Sequence, residues 1–325
     1  MKDTLLCCDW GTSSFRLRRV ETATRKVLHE VRSGQGIAAT FQTWKAGSED
    51  RRTVFGRVLA HEIRRLGEET GQSAEGVPVV LSGMASASIG LVELPYAGLP
   101  FAVDGSGAEI RRLEPTAELP HEVLVISGVS GGQDVMRGEE TQLIGLYALQ
   151  PEGIDPAADA LLILPGTHSK HIRISDGRMT GFQTFMTGEV FALLVQHSIL
   201  GDSVSRPESP DWVWFRRGVR EGASASLLNA LFSVRVNQLM KRADKGPNYE
   251  YLSGLLIGSE LQGLAHHPQP LVLCSGSTVF PYYREAAEEL GFPAHCVPAE
   301  VMEQAAVAGQ VAVFEKWTPA VSFES

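Results

Sequence analysis

The sequence predicts an α/β chain of two related lobes, and three observations carry that prediction. A glycine-threonine turn between strand-like runs occurs near the N-terminus and again near the middle. Apolar runs ending in small, flexible residues alternate with segments of helical apolar spacing. The chain has 325 residues, more than one hydrophobic core usually covers.

The first turn follows Leu5-Leu6-Cys7-Cys8 as Asp9-Trp10-Gly11-Thr12-Ser13-Ser14 and leads into Phe15-Arg16-Leu17-Arg18. The second follows Leu161–Leu164 as Pro165-Gly166-Thr167-His168-Ser169 and leads into Lys170-His171-Ile172-Arg173. Aligning Gly11 with Gly166 places Ser14 on Ser169 and Arg18 on Arg173. Each copy reads as a strand, a hydroxyl-bearing turn and a second strand. Such a turn can aim N–H and hydroxyl donors at one spot, which suits phosphate oxygens, and two of them would grip a nucleotide triphosphate from both sides. Two unrelated hairpins are the plainer alternative.

The elements follow in order. Val27–Val31 reads as a third strand, and Val54, Phe55, Val58, Leu59, Ile63 and Leu66 recur at helical spacing between Arg51 and Glu69. Val77–Leu81 and Val123–Ile126 read as buried strands that end in Ser82-Gly83-Met84-Ala85-Ser86 and Ser127–Gly132, as ligand loops do at strand ends. Pro151–Asp159 reads as a crossing between lobes, which gives residues 1–150 and 151–325 as the two domains. The second half repeats the plan: the Leu161 hairpin, a strand over Met179–Thr184, then helices over Glu189–Leu200, Gly222–Met240 and Tyr249–Leu264. Gly201–Asp211 reads as a surface loop and lid. Pro270–Cys274 reads as a strand leading through Ser275-Gly276-Ser277 into a helix. A last helix is expected over Glu300–Phe314, with the option of packing back on the first lobe.

A net charge of -9 and a pI near 5.5 argue against a nucleic-acid surface. No apolar stretch is long enough to span a membrane, and Met1–Thr4 lacks a signal-peptide pattern. Cys7, Cys8, Cys274 and Cys296 show no CxxC spacing, which fits free thiols in the cytoplasm. The composition leaves a homodimer open.

Taken together these elements resemble the sugar-kinase, Hsp70 and actin superfamily. Asp9–Arg16 resembles its first phosphate motif, Leu162–His171 the second and Val272–Glu285 the adenosine motif. Met136-Arg137-Gly138-Glu139-Glu140-Thr141-Gln142-Leu143-Ile144-Gly145, Leu164–His168, Met186-Thr187-Gly188-Glu189 and Leu252–Gly258 resemble, in order and over nearly the whole chain, the 2-dehydro-3-deoxygalactonokinases. Ser169, where a cysteine is familiar, and Pro207–Arg216 depart from that pattern.

The resemblance implies two ribonuclease-H-like, actin-like ATPase lobes with an ATP cleft between them. It also implies Mg²⁺ and transfer of a phosphoryl group to the 6-hydroxyl of 2-dehydro-3-deoxy-D-galactonate in galactonate catabolism. Asp9 would hold the Mg²⁺ shell, although a turn-capping aspartate is the simpler alternative. Gly11, Thr12, Ser13 and Ser14 would cradle phosphates. Arg16 would reach the γ-phosphate or remain a solvated strand arginine. Gly166, Thr167 and His168 would form the second phosphate clamp, with Gly276 and Ser277 under the adenosine. The general base would be Glu139 first, Glu140 second and Glu189 third; each also suits the start of a helix. The sugar-acid carboxylate would meet Gly83, Met84, Ala85, Ser86, the Gly34–Gly36 loop or Arg137, which could instead brace the glutamates. A same-fold kinase for another sugar acid, a superfamily phosphohydrolase and a non-enzymatic sensor are the rival readings.

Overall fold

The computed structural model describes residues 3–267, 269–276 and 278–317, which divide into two compact α/β units built on mixed sheets. The first unit runs to Pro156 and regains the chain at Gly177–Thr180 and from Val301 onward; the second comprises Ala157–Asp176 and Gly181–Glu300.

In the first unit β1 (Thr4–Trp10), β2 (Phe15–Glu21) and β3 (Val27–Ser33) form an antiparallel meander. Helices α1 (Ile37–Ala46) and α2 (Arg51–Thr70) follow. Next come β4 (Val79–Gly83), β5 (Ala97–Gly98), β6 (Phe101–Ala102), β7 (Ile110–Leu113), β8 (Val123–Ile126), β9 (Val129–Ser130), β10 (Val135–Met136) and α3 (Glu139–Leu149). Strand β4 runs parallel to β1, and β8 parallel to β4, in a sheet ordered β3-β2-β1-β4-β8-β7. A small sheet is ordered β10-β9-β5. Alternate residues Leu6, Cys8 and Trp10 of β1, with Phe15 and Leu17 of β2, meet the apolar stripe Phe55, Leu59, Ile63 and Leu66 of α2 in one core. Asp50 caps α2 by accepting from the Thr53 amide at 3.3 Å, and Gly71, at φ 65°, ends it.

The second unit opens with β11 (Ala160–Leu164), β12 (Ser169–Ser175) and β13 (Arg178–Phe185), then α4 (Thr187–His197), α5 (Trp212–Ser224), α6 (Leu227–Leu239) and α7 (Lys245–Leu261). It closes with β14 (Leu271–Cys274), α8 (Phe280–Glu289) and β15 (Ala294–Val297), before α9 (Ala299–Trp317), most of which belongs to the first unit. Its sheet is ordered β15-β14-β11-β12-β13, with β11 antiparallel to β12 and parallel to β14. That repeats the order of the first five strands of the first unit. The opening residues of β13, Arg178 and Met179, lie in the first unit and pair there with Ala102 and Phe101 of β6.

Both units use glycine where helices touch backbone to backbone. A Cβ at Gly145 of α3 would stand 1.6 Å from the Ala305 carbonyl oxygen of α9, and one at Gly309 would stand 1.9 Å from that of Thr141. In the second unit α5 offers Gly218 and Gly222 to α7, and α7 offers Gly254 and Gly258 in return. A Cβ at any of the four would lie 2.1–2.2 Å from a carbonyl oxygen of the partner helix. No side chain fits such gaps.

That crossing corrects two sequence expectations. The stretch Gly222–Met240 is not one helix: α5 ends at Ser224 and α6 starts at Leu227. The idiosyncratic segment Pro207–Arg216 is not all loop, because α5 starts at Trp212 with Asp211 as its cap, accepting from the amides of Val213 and Trp214 at 3.1 Å each. Glycine lowers helix propensity, and the packing of Gly218 and Gly222 against α7 overrides that cost. Helix α1 and strands β7 and β15 also go beyond the sequence expectations.

The two hairpins are similar but not equivalent. Trp10 pairs with Phe15 across the four residues 11–14, whereas Leu164 pairs with Lys170 across the five residues 165–169. One extra residue turns the outgoing strand over. Phe15 and Leu17 therefore face the α2 core, while Ser169 and His171 face α7. The alignment of Ser14 with Ser169 and Arg18 with Arg173 fails for this reason.

Candidate active site

In the first unit the turn after β1 is held from behind. The first helical amides of α1 need acceptors from outside the helix, and Ile37 and Ala38 donate to the Gly11 and Thr12 carbonyls at 3.0 Å each. Gly36 lies directly beneath: a Cβ there would come 2.4 Å from the Thr12 carbonyl oxygen. The Trp10 indole donates to the Gln35 carbonyl at 2.8 Å. With their support on the inner side, Thr12, Ser13 and Ser14 remain exposed. The Gly34–Gly36 loop, a candidate for the substrate, thus serves as the bed of the phosphate-loop candidate.

Asp9, in β1, pairs across the sheet with Arg16 of β2 and with Ser82 of β4. Burial pushes its carboxyl up, Arg16 and Arg18 draw it back, and Glu139 raises it again. Asp9 and Glu139 are therefore close enough to feel each other. Gly83, at φ 80°, ends β4 beside them: a Cβ there would lie 3.1 Å from Asp9 Oδ1. Gly138, at φ 104°, starts α3 against the Gly83 backbone. The ends of β1 and β4 and the start of α3 thus converge around Asp9 and Glu139.

The two glutamates at the start of α3 differ. Glu140 is buried, accepts from its own neighbour Gly138 N at 2.7 Å and from Thr141 Oγ1 at 2.8 Å, and is pushed up to about 7 by burial and then by Glu139. Its oxygens serve the helix start. Glu139 is half-buried and lies on the Asp9 side.

Arg137, between β10 and α3, donates to Ser86 Oγ at 2.6 Å and lies 4.0 Å over the Tyr96 ring. Two substrate candidates are thereby joined. The Met84–Ser86 turn, which includes buried Ala85, is locked by Gly90, where a Cβ would meet the Met84 carbonyl oxygen at 2.2 Å. Arg51 reinforces it by donating to the carbonyls of Ser88 at 2.8 Å and Gly90 at 2.5 Å. Tyr96 and Arg51 were not legible as site residues, because each acts through partners roughly 40 positions away.

In the second unit the Gly166–Thr167–His168 turn is exposed and packs on the first turn of α4. A Cβ at Gly188 would meet the Gly166 carbonyl oxygen at 2.6 Å, and the Glu189 amide donates to Thr167 O at 3.1 Å. His168 Nε2 contacts Glu189 Oε2 at 2.5 Å, which gives the third base candidate a local partner. A cavity of about 470 Å³ opens from Gly166, Thr167, Thr187 and Gly188 toward Arg206, Tyr249, Tyr282 and Thr278. The last four are lining residues that sequence reasoning missed. Gly276 is exposed at the end of β14, and Ser277 lies outside the described residues.

A model of the 2-keto-3-deoxy-galactonokinase family matches residues 9–313. The chain belongs to that family. A Rhizobium meliloti (strain 1021) protein assigned as a 2-dehydro-3-deoxygalactonokinase is 31% identical over 310 residues, 90% of this chain and 91% of that protein. The 2-dehydro-3-deoxygalactonokinase of Escherichia coli (strain K12) is 30% identical over 241 residues, 72% of this chain and 78% of that protein. The crystal structure of a Sinorhizobium meliloti protein assigned to the same activity superposes with a TM-score of 0.77 at 31% identity, covering 97% of this chain and 99% of that one. For this family member the match extends across both units. No helix among the described residues is long and apolar enough to cross a membrane.

Proposed function

We propose that this chain transfers the γ-phosphoryl group of ATP to the 6-hydroxyl of 2-dehydro-3-deoxy-D-galactonate, as the names of its relatives suggest. The observation that carries the reading is the convergence of the ends of β1 and β4 and the start of α3, which carry Asp9 and Glu139, beside an exposed, rigidly backed glycine-threonine turn. Phosphoryl transfer asks mainly for positioning, charge neutralisation and a group to guide the acceptor hydroxyl.

In this reading the two units are ribonuclease-H-like lobes that close on ATP, the first of them including most of α9. Thr12, Ser13 and Ser14 donate to phosphate oxygens on one side, Gly166 and Thr167 on the other, and Arg16 offsets charge near the first. The 470 Å³ cavity takes the adenosine, with Tyr249 and Tyr282 among its lining residues, and Gly276 lets the chain pass close to the nucleotide. Glu139 accepts the proton of the 6-hydroxyl. Arg137, held by Ser86 and Tyr96, meets the sugar-acid carboxylate above the Gly83–Ser86 turn.

The residues present fit Mg²⁺. That ion is commonly held by one or two carboxylates together with substrate phosphates and waters, and Asp9 is a partly buried carboxylate whose ionised form a cation would favour. When bound, Mg²⁺ would neutralise phosphate charge. A cytoplasmic setting suits ATP use and the free thiols of Cys7, Cys8, Cys274 and Cys296.

The test is ADP release against a panel of 2-keto-3-deoxy sugar acids, with ATP alone as control. The expected result is release that depends on the galactonate-derived acid. Equal ADP release without any sugar acid would turn the reading into a phosphohydrolase, and preference for another acid would replace the substrate.

A further inference from the structure

The second unit contains a buried carboxylate with no place in the reaction just described. Glu260, on the last turn of α7, is only 4% exposed. Its Oε1 contacts Ser169 Oγ at 2.6 Å and His171 Nε2 at 2.9 Å; its Oε2 contacts Tyr283 Oη at 2.6 Å and the Thr187 hydroxyl. An ionised carboxylate is acceptor-only, with about four lone-pair sites. Four side chains from β12, α4 and α8 occupy them.

These partners bracket the Gly166–His168 turn. Ser169 and His171 begin the strand that leaves it, and they face Glu260 because of the five-residue turn. Thr187 starts α4, whose next residue, Gly188, packs against Gly166 and Thr167. Tyr283 and Thr187 both line the cavity that opens from the turn.

We propose that Glu260 is a positioning residue for nucleotide binding, fixing the Gly166–His168 turn and the first turn of α4 from behind without touching the nucleotide. This rests on the reading of that turn as a phosphate clamp. A buried carboxylate that loses its charge leaves its donors competing for fewer acceptors. In Glu260→Gln half of the acceptor becomes a donor, so one pair of partners must rotate or separate, and the turn loses its fixed shape.

The experiment is calorimetric titration of the full chain with the magnesium complex of a non-hydrolysable ATP analogue, alongside steady-state kinetics. Glu260→Gln is expected to weaken analogue binding at least tenfold and raise KM for ATP to match, with KM for the sugar acid within twofold. Thr187→Val removes one donor and keeps the carboxylate; a loss of about threefold is expected, and the double variant should be no weaker than Glu260→Gln alone. Analogue affinity within twofold in Glu260→Gln, or a parallel rise in both KM values, would overturn the proposal. If Glu260→Gln does not fold, unchanged affinity in both Thr187→Val and Ser169→Ala overturns it instead. A wild-type chain that binds the analogue but releases no ADP with any sugar acid sinks the kinase reading and leaves the role of Glu260 standing. A wild-type chain that does not bind the analogue sinks both.

Discussion

The β1–β2 turn and the β11–β12 turn share a glycine and a threonine, occupy matching places in sheets of the same strand order, and differ by one residue in length. The longer turn flips the outgoing strand. In the first unit the flanking strand residues Phe15 and Leu17 feed an apolar core, and the acids Asp9 and Glu139 lie near the turn. In the second, Leu164 stands where Asp9 would align, Ser169 and His171 turn inward, and the carboxylate of Glu260 lies behind the turn with its oxygens occupied. A repeated motif can thus move its negative charge from the front of a loop to the back without changing the sheet around it.

The largest test of that contrast removes charge from the front. Glu139→Gln should lower kcat by about 10²–10⁴-fold, the usual reach of a general base. Asp9→Asn should cost well over ~10-fold in turnover. Circular dichroism should show both variants folded, and near-normal turnover in Asp9→Asn would remove the metal assignment.

The next effect concerns how each unit is held together. Gly145→Ala in the first unit and Gly218→Ala in the second each place a methyl within 2.2 Å or less of a carbonyl oxygen. Each should cost at least about 1–3 kcal/mol, the range for overpacking, measured by urea denaturation. Loss in one unit without loss in the other would show that only one crossing is as tight as described.

A gentler effect follows from Glu140. Burial lifts it from 4.5 to about 7, so the folded chain keeps a proton that the unfolded chain releases across that interval. Its contribution to stability is full below about pH 4.5 and declines as pH rises to about 7. Melting temperatures of wild type and Glu140→Gln from pH 4.5 to 7.5 should converge on the acid side and diverge toward neutrality, with the variant showing the flatter profile. The smallest effect is expected at Gly34, where a Cβ meets nothing within 4 Å: Gly34→Ala should change stability by less than ~0.5 kcal/mol. A larger loss would mean that the bed of the first turn is tighter than its neighbour Gly36 alone implies.

Much of the fold was legible because local pattern and tertiary role agreed. Val123–Ile126 reads as a buried strand and is β8, and the apolar spacing from Val54 to Leu66 reads as α2. Helix α5 was not legible, since Gly218 and Gly222 lower helix propensity and find their reason in α7. Within the site, Asp9 and the turn after it could be picked out because strand, acid and glycine are contiguous. The approach of Glu139 came from family resemblance, and its charge coupling to Asp9 emerged only in three dimensions. Glu260 left no trace in sequence: its partners Ser169 and His171 are 91 and 89 positions away.

The last helix carries a consequence for biosynthesis. Gln310 of α9 donates to the Cys8 carbonyl at 2.8 Å and to Ser82 Oγ at 3.0 Å, and Gly309 meets Thr141. Strand β1 therefore waits for a helix some 300 positions further along the chain before its packing is complete, while the intervening unit has all its residues by Glu300. Contacts that span some 300 positions slow the search for the native state. Until that helix arrives, the Cys8 carbonyl and the Ser82 hydroxyl lack the Gln310 amide that meets them in the buried interior.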